Sequence, residues 1–330
     1  MRTWPIILLV TACSSQGGLD ITPGEKPSTT LTSQPTGTTT GTATGTVPTT
    51  SLDCTGFEYP SGMSDLDLPT SEDFTISLDG WVYGVDQVSQ ALVRSDKYGT
   101  VEMLFPGVSS WGRGTRFLSD GRLAVAEPDT GSLLLFDPNN SWTPTRLVSN
   151  LTSPNGIAIG DDDFIYLTQA DGKVLRIDPN TGDDTLLYDT PVSTDGITFA
   201  PDYRTLYWNS EDGEVIKVVL DDDGQIIDGP MVHADINTSS GFNLLDGMTA
   251  DACGNLYVVE MQGMIHRVAP DGSQSKFLDV SSAPGGTFIS AVNFGGGGGG
   301  FESTKLYIMS LGGGMFEVDV GIPGKWEPHW

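Results

Sequence analysis

The residues that could do chemistry recur one per repeat. Glu72, Arg113, Asn155, Asp195, Asp246 and Ser290 each stand directly before a Gly, or before Asp73 and Ala291 where the Gly is replaced. They follow one another at intervals of about 40 to 50 residues, the period of a repeat architecture. If the repeats close around an axis, three carboxylates and a carboxamide meet at one end of it and repel one another when left alone. A hard divalent cation resolves that repulsion. Oxygens of Asp, Glu and Asn are what calcium prefers, with magnesium or zinc as alternatives. The set holds no His or Cys of the kind that builds the usual zinc site. Asp-Gly and Asn-Gly are also common turn dipeptides. Yet one residue class returns at one position in four of the six units while the hairpin turns vary freely, which favours ligation by Glu72, Asn155, Asp195 and Asp246. His233, His266 and His329 are scattered and read as structural or surface residues.

The elements that would position these residues are short strands. Within Leu245 to Gly272, Asp246-Gly247 leads into the apolar Met248 to Ala250. A turn at Ala252 to Asn255 precedes Leu256-Tyr257-Val258-Val259, and a turn at Gln262-Gly263 precedes Met264 to Val268. Apolar and β-branched runs of this length, bounded by Gly, Asp, Asn or Pro, are antiparallel strands joined by hairpins. The pattern repeats upstream at 153–182 and 193–218. It predicts an all-β chain, a six-bladed β-propeller with four-stranded antiparallel blades. The first strand of each blade then lines the channel, so the residues before the leading glycines share one end of it. Residues that follow the second strand return to that end: Glu127, Gln169, Asn209, Glu260 and Ser310 are candidates for contacts to substrate hydroxyls. Either Phe57 to Pro60 or Lys325 to Trp330 is expected to supply the outer strand that closes the sixth blade and removes an open edge.

Ahead of the repeats, Met1-Arg2 and the apolar Trp4 to Val10 read as a secretion signal, with Val10-Thr11-Ala12-Cys13 similar to a bacterial lipobox and Cys13 the residue to be lipidated. Residues 14–53 are almost entirely Thr, Gly, Ser and Pro, too poor in apolar surface to offset their ordering entropy, and are expected to form a disordered tether. The propeller is expected over residues 54–330. The resulting expectation is an exported monomer of the cell envelope, touching the membrane only through its lipid. Cys54 and Cys253 remain as a disulfide candidate or as two free thiols. With 16 Lys and Arg against 43 Asp and Glu, a formal net charge of −27, the chain repels phosphate backbones, which argues against nucleic acid as a partner.

The repeats also resemble the senescence marker protein (regucalcin) and gluconolactonase family. TDGITFAPDYRTLYW at 194–208 is similar to its fourth-blade segment and LDGMTADACGNLYVVEMQGMIHRVAPDG at 245–272 to its fifth; Asn293 to Gly296, Lys305 to Ile308 and Gly313 to Val318 resemble its closing blade. The resemblance implies a divalent metal held by Glu72, Asp195 and Asp246, with Asn155 at or beside the site. Two departures stand out: the family's fourth-blade asparagine is Asp195 here, and its arginine just upstream of the third-blade asparagine is replaced by Thr152 and Ser153, leaving Arg113 to approach from another direction.

The function implied is metal-assisted hydrolysis of a small lactone, in which the cation polarises the carbonyl and Asp246 or Asp195 takes a proton from water. Arg113, Asn209, Glu260 and Gln169 would contact the substrate. The alternative is a surface-tethered binding propeller with structural calcium, since propellers host enzymes and scaffolds alike. An open acidic channel mouth separates the first reading from a mouth plugged by the insertion between Asp221 and Asn243.

Overall fold

Apolar runs of five residues that are buried on both faces can only be middle strands of stacked sheets. Leu123–Glu127, Ile165–Gln169 and Leu256–Glu260 have every residue buried. The outer strands Thr143–Val148 and Asp184–Asp189 are polar and mostly exposed or half-buried. A computed structural model describes residues 62–109, 112–236, 244–283 and 285–330, together with Leu52, Cys54, Tyr59 and Pro60. The segments expected as lipobox (10–13) and, apart from Leu52, as tether (14–53) lie outside the described residues.

The described residues form six four-stranded sheets, five of them built from four consecutive strands. All strand pairs are antiparallel, so the chain is a six-bladed propeller. Its inner strands are Phe74–Ile76, Thr115–Phe117, Pro154–Ile159, Thr194–Phe199, Leu245–Ala250 and Ile289–Phe294. The only helical element among the described residues is the 3-10 turn Pro138–Asn140.

The core is divided into six parts, one in each seam between neighbouring blades. Tyr83, Val85 and Leu92 of blade 1 meet Phe117 and Leu123 of blade 2. Tyr166 and Val174 of blade 3 meet Phe199, Leu206 and Trp208 of blade 4, and Phe74 and Val82 of blade 1 meet Tyr307 and Met309 of blade 6. Burying side chains of this size is worth about 1.5–3 kcal/mol each, so the seams hold the ring together.

Closure differs from both expectations. The fourth strand of blade 6 is Ser64–Leu66, which pairs with Met315–Asp319 through Ser64 opposite Glu317 and Leu66 opposite Met315. Neither Phe57 to Pro60 nor Lys325 to Trp330 serves. The reason is reach: Leu68 is already buried in the blade 6 to blade 1 seam, which places the residues just before it along the outer edge.

The segment 324–330 crosses the other end of the channel instead. Gly324 bridges to Asp251, Lys325 N–H donates to the Ala250 carbonyl, and Trp330 Nε1 donates to the Ile76 carbonyl at 3.3 Å. Lys325 is only 4 % exposed, and its ammonium donates to Glu327 and, at 3.2 Å, to the Tyr203 hydroxyl.

Cys54 and Cys253 are joined, with Cα atoms 5.7 Å apart and a sequence separation of 199. A crosslink closing so long a loop lowers the entropy of the unfolded chain, an effect of about 2–5 kcal/mol. Cys54→Ser, followed by urea denaturation, is expected to lower stability within that range without altering the circular dichroism of the native state. An unchanged urea midpoint would show that the bridge leaves the unfolded ensemble unrestricted.

Candidate functional site

The site is built by a backbone irregularity that returns blade after blade. Pairing of the inner strand with its neighbour shifts between Pro154 and Ile157, between Thr194 and Ile197, between Leu245 and Met248, and between Ile289 and Ala291. The residues skipped by the pairing are Asn155, Asp195 and Asp246, each with the glycine that follows it, and Ser290 alone. Such bulges re-aim side chains out of the ladder, here into the channel.

Glycine is required next to them by close approach. A Cβ on Gly114, Gly156, Gly196 or Gly247 would lie 2.7 Å or less from the backbone oxygen of Asn155, Asp195, Asp246 or Ser290 respectively, in each case on the next blade. Side chains of the second strands hold the same carbonyls: Thr168 donates to Asp195 O, and the Asn209 amide donates to Asp246 O. The leading glycines are therefore spacers that let each blade press against the functional residue of its neighbour.

One cavity at this end of the axis is lined by Glu72, Asn155, Asp195, Asp246 and Ser290. Asp73, Arg116, Ile157, Ile197 and Met248 complete the wall. Arg113 lies beside it, with Nε 3.8 Å from Glu72 Oε1. That Nε is buried and has no hydrogen-bond partner among the described residues. Asp73, which replaces a leading glycine, is fully engaged: it accepts from Phe74 N–H at 2.7 Å, from Thr115 N–H at 3.0 Å and from Arg116 Nη1 at 2.7 Å. The sequence reading missed this Asp73–Arg116 pair. Its one signal was a charged residue in the middle of the otherwise uncharged inner strand Thr115–Phe117.

Electrostatics follow from packing three acids around one small space. Burial foremost, then the charge of Asp195, holds the Glu72 carboxyl well above the ordinary range, with Arg113 pulling the other way. Asp246 is held well above its ordinary value by burial and then by the charges of Asp195 and Glu72. Asp195 is raised by burial to about 6, against opposing effects of Arg113 and of hydrogen bonds from Asp246 and Asn155. The hydrogen bond between the two aspartates pushes Asp246 up and Asp195 down, so the two carboxyls act as a pair. Among the described residues no three His, Cys, Asp or Glu side chains already converge as a metal cage. The donor set nonetheless fits a hard divalent cation: it is all oxygen, it joins carboxylates to one neutral carboxamide, and its acids hold protons where a cation would relieve the same repulsion.

The second-strand residues expected at the mouth are not on the cavity wall. Gln169 Oε1 accepts from Thr152 N–H at 2.6 Å, and Glu260 pairs with His266 Nε2 at 2.9 Å, both carboxylate and imidazole being buried. Glu127 accepts from Ser109 N–H and from the Thr130 hydroxyl, and the Ser310 hydroxyl donates to the Gly285 carbonyl. Asn209 is fully buried and clamps Asp246 as described. Residues 226–235 of the expected plug form the outer strand of blade 4, whereas 237–243 lie outside the described residues.

Fold and site together define a six-bladed propeller with an acidic, oxygen-lined cavity at one end of its channel. Residues 164–312 match the family model of the SMP-30/gluconolactonase/LRE-like region, a span that includes Asp195, Asp246 and Ser290. No curated protein matches the chain. Among solved structures it is similar to a gluconolactonase from Xanthomonas campestris, with TM-score 0.65 and 18 % identity over 80 % of this chain and 91 % of that one. The calcium-binding protein regucalcin from Agrobacterium tumefaciens gives TM-score 0.62 and 19 % identity over 82 % and 97 % of the two chains. A virginiamycin B lyase from Staphylococcus aureus gives TM-score 0.56 and 16 % identity over 74 % and 79 %. At such identities the likeness is one of fold.

The raised carboxyls have a definite pH signature. Asp195 titrates near 6 in the folded state and near 3.8 as an ordinary aspartate. The folded state therefore binds more protons between about pH 4 and 7, and the cation-free cluster becomes less favourable as pH rises through that window. In chelator, Asp195→Asn is expected to gain on the unsubstituted protein by roughly 2 kcal/mol from pH 4 to pH 7. Urea midpoints at four pH values measure this; a difference that stays flat would mean that Asp195 does not stand among like charges.

Proposed function

We propose that the protein hydrolyses a small lactone at this end of the channel, with a divalent cation, calcium foremost, held by Glu72, Asn155, Asp195 and Asp246. The observation that carries the reading is a cavity whose wall brings Glu72, Asn155, Asp195 and Asp246 together beside Arg113, whose buried Nε has no hydrogen-bond partner among the described residues. The family match over residues 164–312 and the names of the similar structures agree with lactone chemistry. When bound, the cation supplies Lewis-acid polarisation of a carbonyl.

The chain's own residues do the rest. Asp195 or Asp246, whichever is less committed to the cation, takes a proton from the attacking water as its oxygen bonds to the lactone carbonyl carbon. The other carboxyl of this hydrogen-bonded pair returns a proton. As the ring C–O bond breaks, that proton goes to the departing alkoxide oxygen, and a hydroxy acid results. Arg113 holds an oxygen of the bound lactone, and later the carboxylate product. The disulfide between Cys54 and Cys253 supports an oxidising compartment, in keeping with export and lipid anchoring at Cys13.

A panel of sugar and aliphatic lactones, assayed with calcium and with chelator, tests this reading. Opening is expected with calcium and lost in chelator. Asp246→Ala and Asp195→Ala are expected to reduce kcat by about 10²-fold or more, while Arg113→Ala mainly raises KM. If no lactone opens above background, the binding propeller with structural calcium takes the place of the hydrolase.

A further inference from the structure

Ser290 completes the ring from blade 6, between Asp246 of blade 5 and Glu72 of blade 1. It is 1 % exposed, it lines the acidic cavity, and its hydroxyl has no hydrogen-bond partner among the described residues. Buried hydroxyls are nearly always paired, because an unpaired one loses its hydrogen bonds to water and gains nothing. The protein has also placed it deliberately. Ser290 is the single residue skipped in the pairing of Ile289–Phe294 with Lys305–Ser310, the counterpart of the bulges that carry Asn155, Asp195 and Asp246. Its backbone oxygen is pressed against Gly247, so its position is set as firmly as that of the acids.

The chemistry around it limits what it can be for. Glu72, Asp195 and Asp246 make the cavity rich in acceptors, and the Asn155 amide is already hydrogen-bonded to Asp195. The uncommitted donors of the ring are Arg113 Nε and the Ser290 hydroxyl, one on each side of Glu72. Arg113 carries charge and suits a charged oxygen. Ser290 is neutral and suits a neutral one. A ligand whose ring bears hydroxyls satisfies both parts of the wall at once, donating to carboxylate oxygens and accepting from the serine. A plain aliphatic ring offers no partner to either.

We propose that Ser290 is a substrate-positioning residue whose hydroxyl donates to a hydroxyl oxygen of the ligand, and that it selects polyhydroxylated lactones over unsubstituted ones. This rests on the hydrolase reading for its kinetic test but on binding alone for its second test. Because the hydroxyl is unpaired in the protein itself, Ser290→Ala removes a buried polar group without breaking an internal bond, and the thermal midpoint is expected to stay unchanged or rise.

The test compares D-glucono-δ-lactone with δ-valerolactone on the calcium-loaded protein and on Ser290→Ala. For the hydroxylated lactone KM is expected to rise about tenfold with kcat within about twofold, the loss of one hydrogen bond to a neutral partner. For δ-valerolactone both constants are expected to stay within about twofold. Equal losses on the two lactones, a fall in midpoint, or no change on either would overturn the proposal. Calorimetric titration with D-gluconate decides the matter if neither lactone is opened. Binding that weakens about tenfold in Ser290→Ala upholds the role of the hydroxyl while the hydrolase reading fails. Equal binding, or none, overturns it.

Discussion

The close approach of successive blades at the axis is the constraint on which the rest depends. Each leading glycine lies where a Cβ would collide with the backbone oxygen of the next functional residue, and Thr168 and Asn209 grip two of those oxygens from the second strands. Six seams of buried side chains supply the inward pressure, and the glycines let it be transmitted to the centre. The acids are therefore crowded by the packing of the whole ring. They have no freedom to separate when they lose their protons.

Crowding explains why the two ends of the channel differ. At the distal end Lys325 answers Glu327 within the segment 324–330, and Arg116, which reaches both cavities, answers Asp73. Burial there holds the His329 imidazole down at about 4, so it stays neutral near pH 7 and sits beside Phe117 and Trp330. At the other end, Arg113 at 3.8 Å from Glu72 is one cation against three acids. The residual negative charge is met by shared protons, and a divalent ion would meet it better. A cavity with surplus acceptors, a proton near its point of release and two unspent donors has the parts that a hydrolytic site needs.

Much of this was legible in the residues. Turn dipeptides and four-residue apolar runs gave the blades, because each hairpin is a local structure. The positions of Asn155, Asp195, Asp246 and Ser290 followed from register alone. What escaped depends on contacts distant in sequence. Ser64–Leu66 closes the ring through backbone pairing, and Ser-Asp-Leu carries no strand pattern to betray it. Arg116 reaches Asp73 from 43 residues away, and Lys325, an exposed residue on general grounds, is buried by a tail that no periodicity marks. Glu260 and Gln169 were read as mouth residues from topology, but each found an internal partner, His266 in one case and the backbone of Thr152 in the other. Topology gives the end of the channel at which a strand finishes, and only packing decides whether its last side chain faces the axis.

The central claim is that blade packing forces acids together at one end of the axis until a cation joins them. Thermal denaturation of the chelator-stripped protein across a calcium titration tests it most directly. A ligand that binds only the folded state stabilises it by mass action. The midpoint is expected to rise steadily with calcium, by an amount corresponding to about 2.7 kcal/mol at a hundred times the dissociation constant, and the rise is expected to vanish in Asp246→Ala. A midpoint that does not move at millimolar calcium, or a rise that persists in Asp246→Ala, would contradict it.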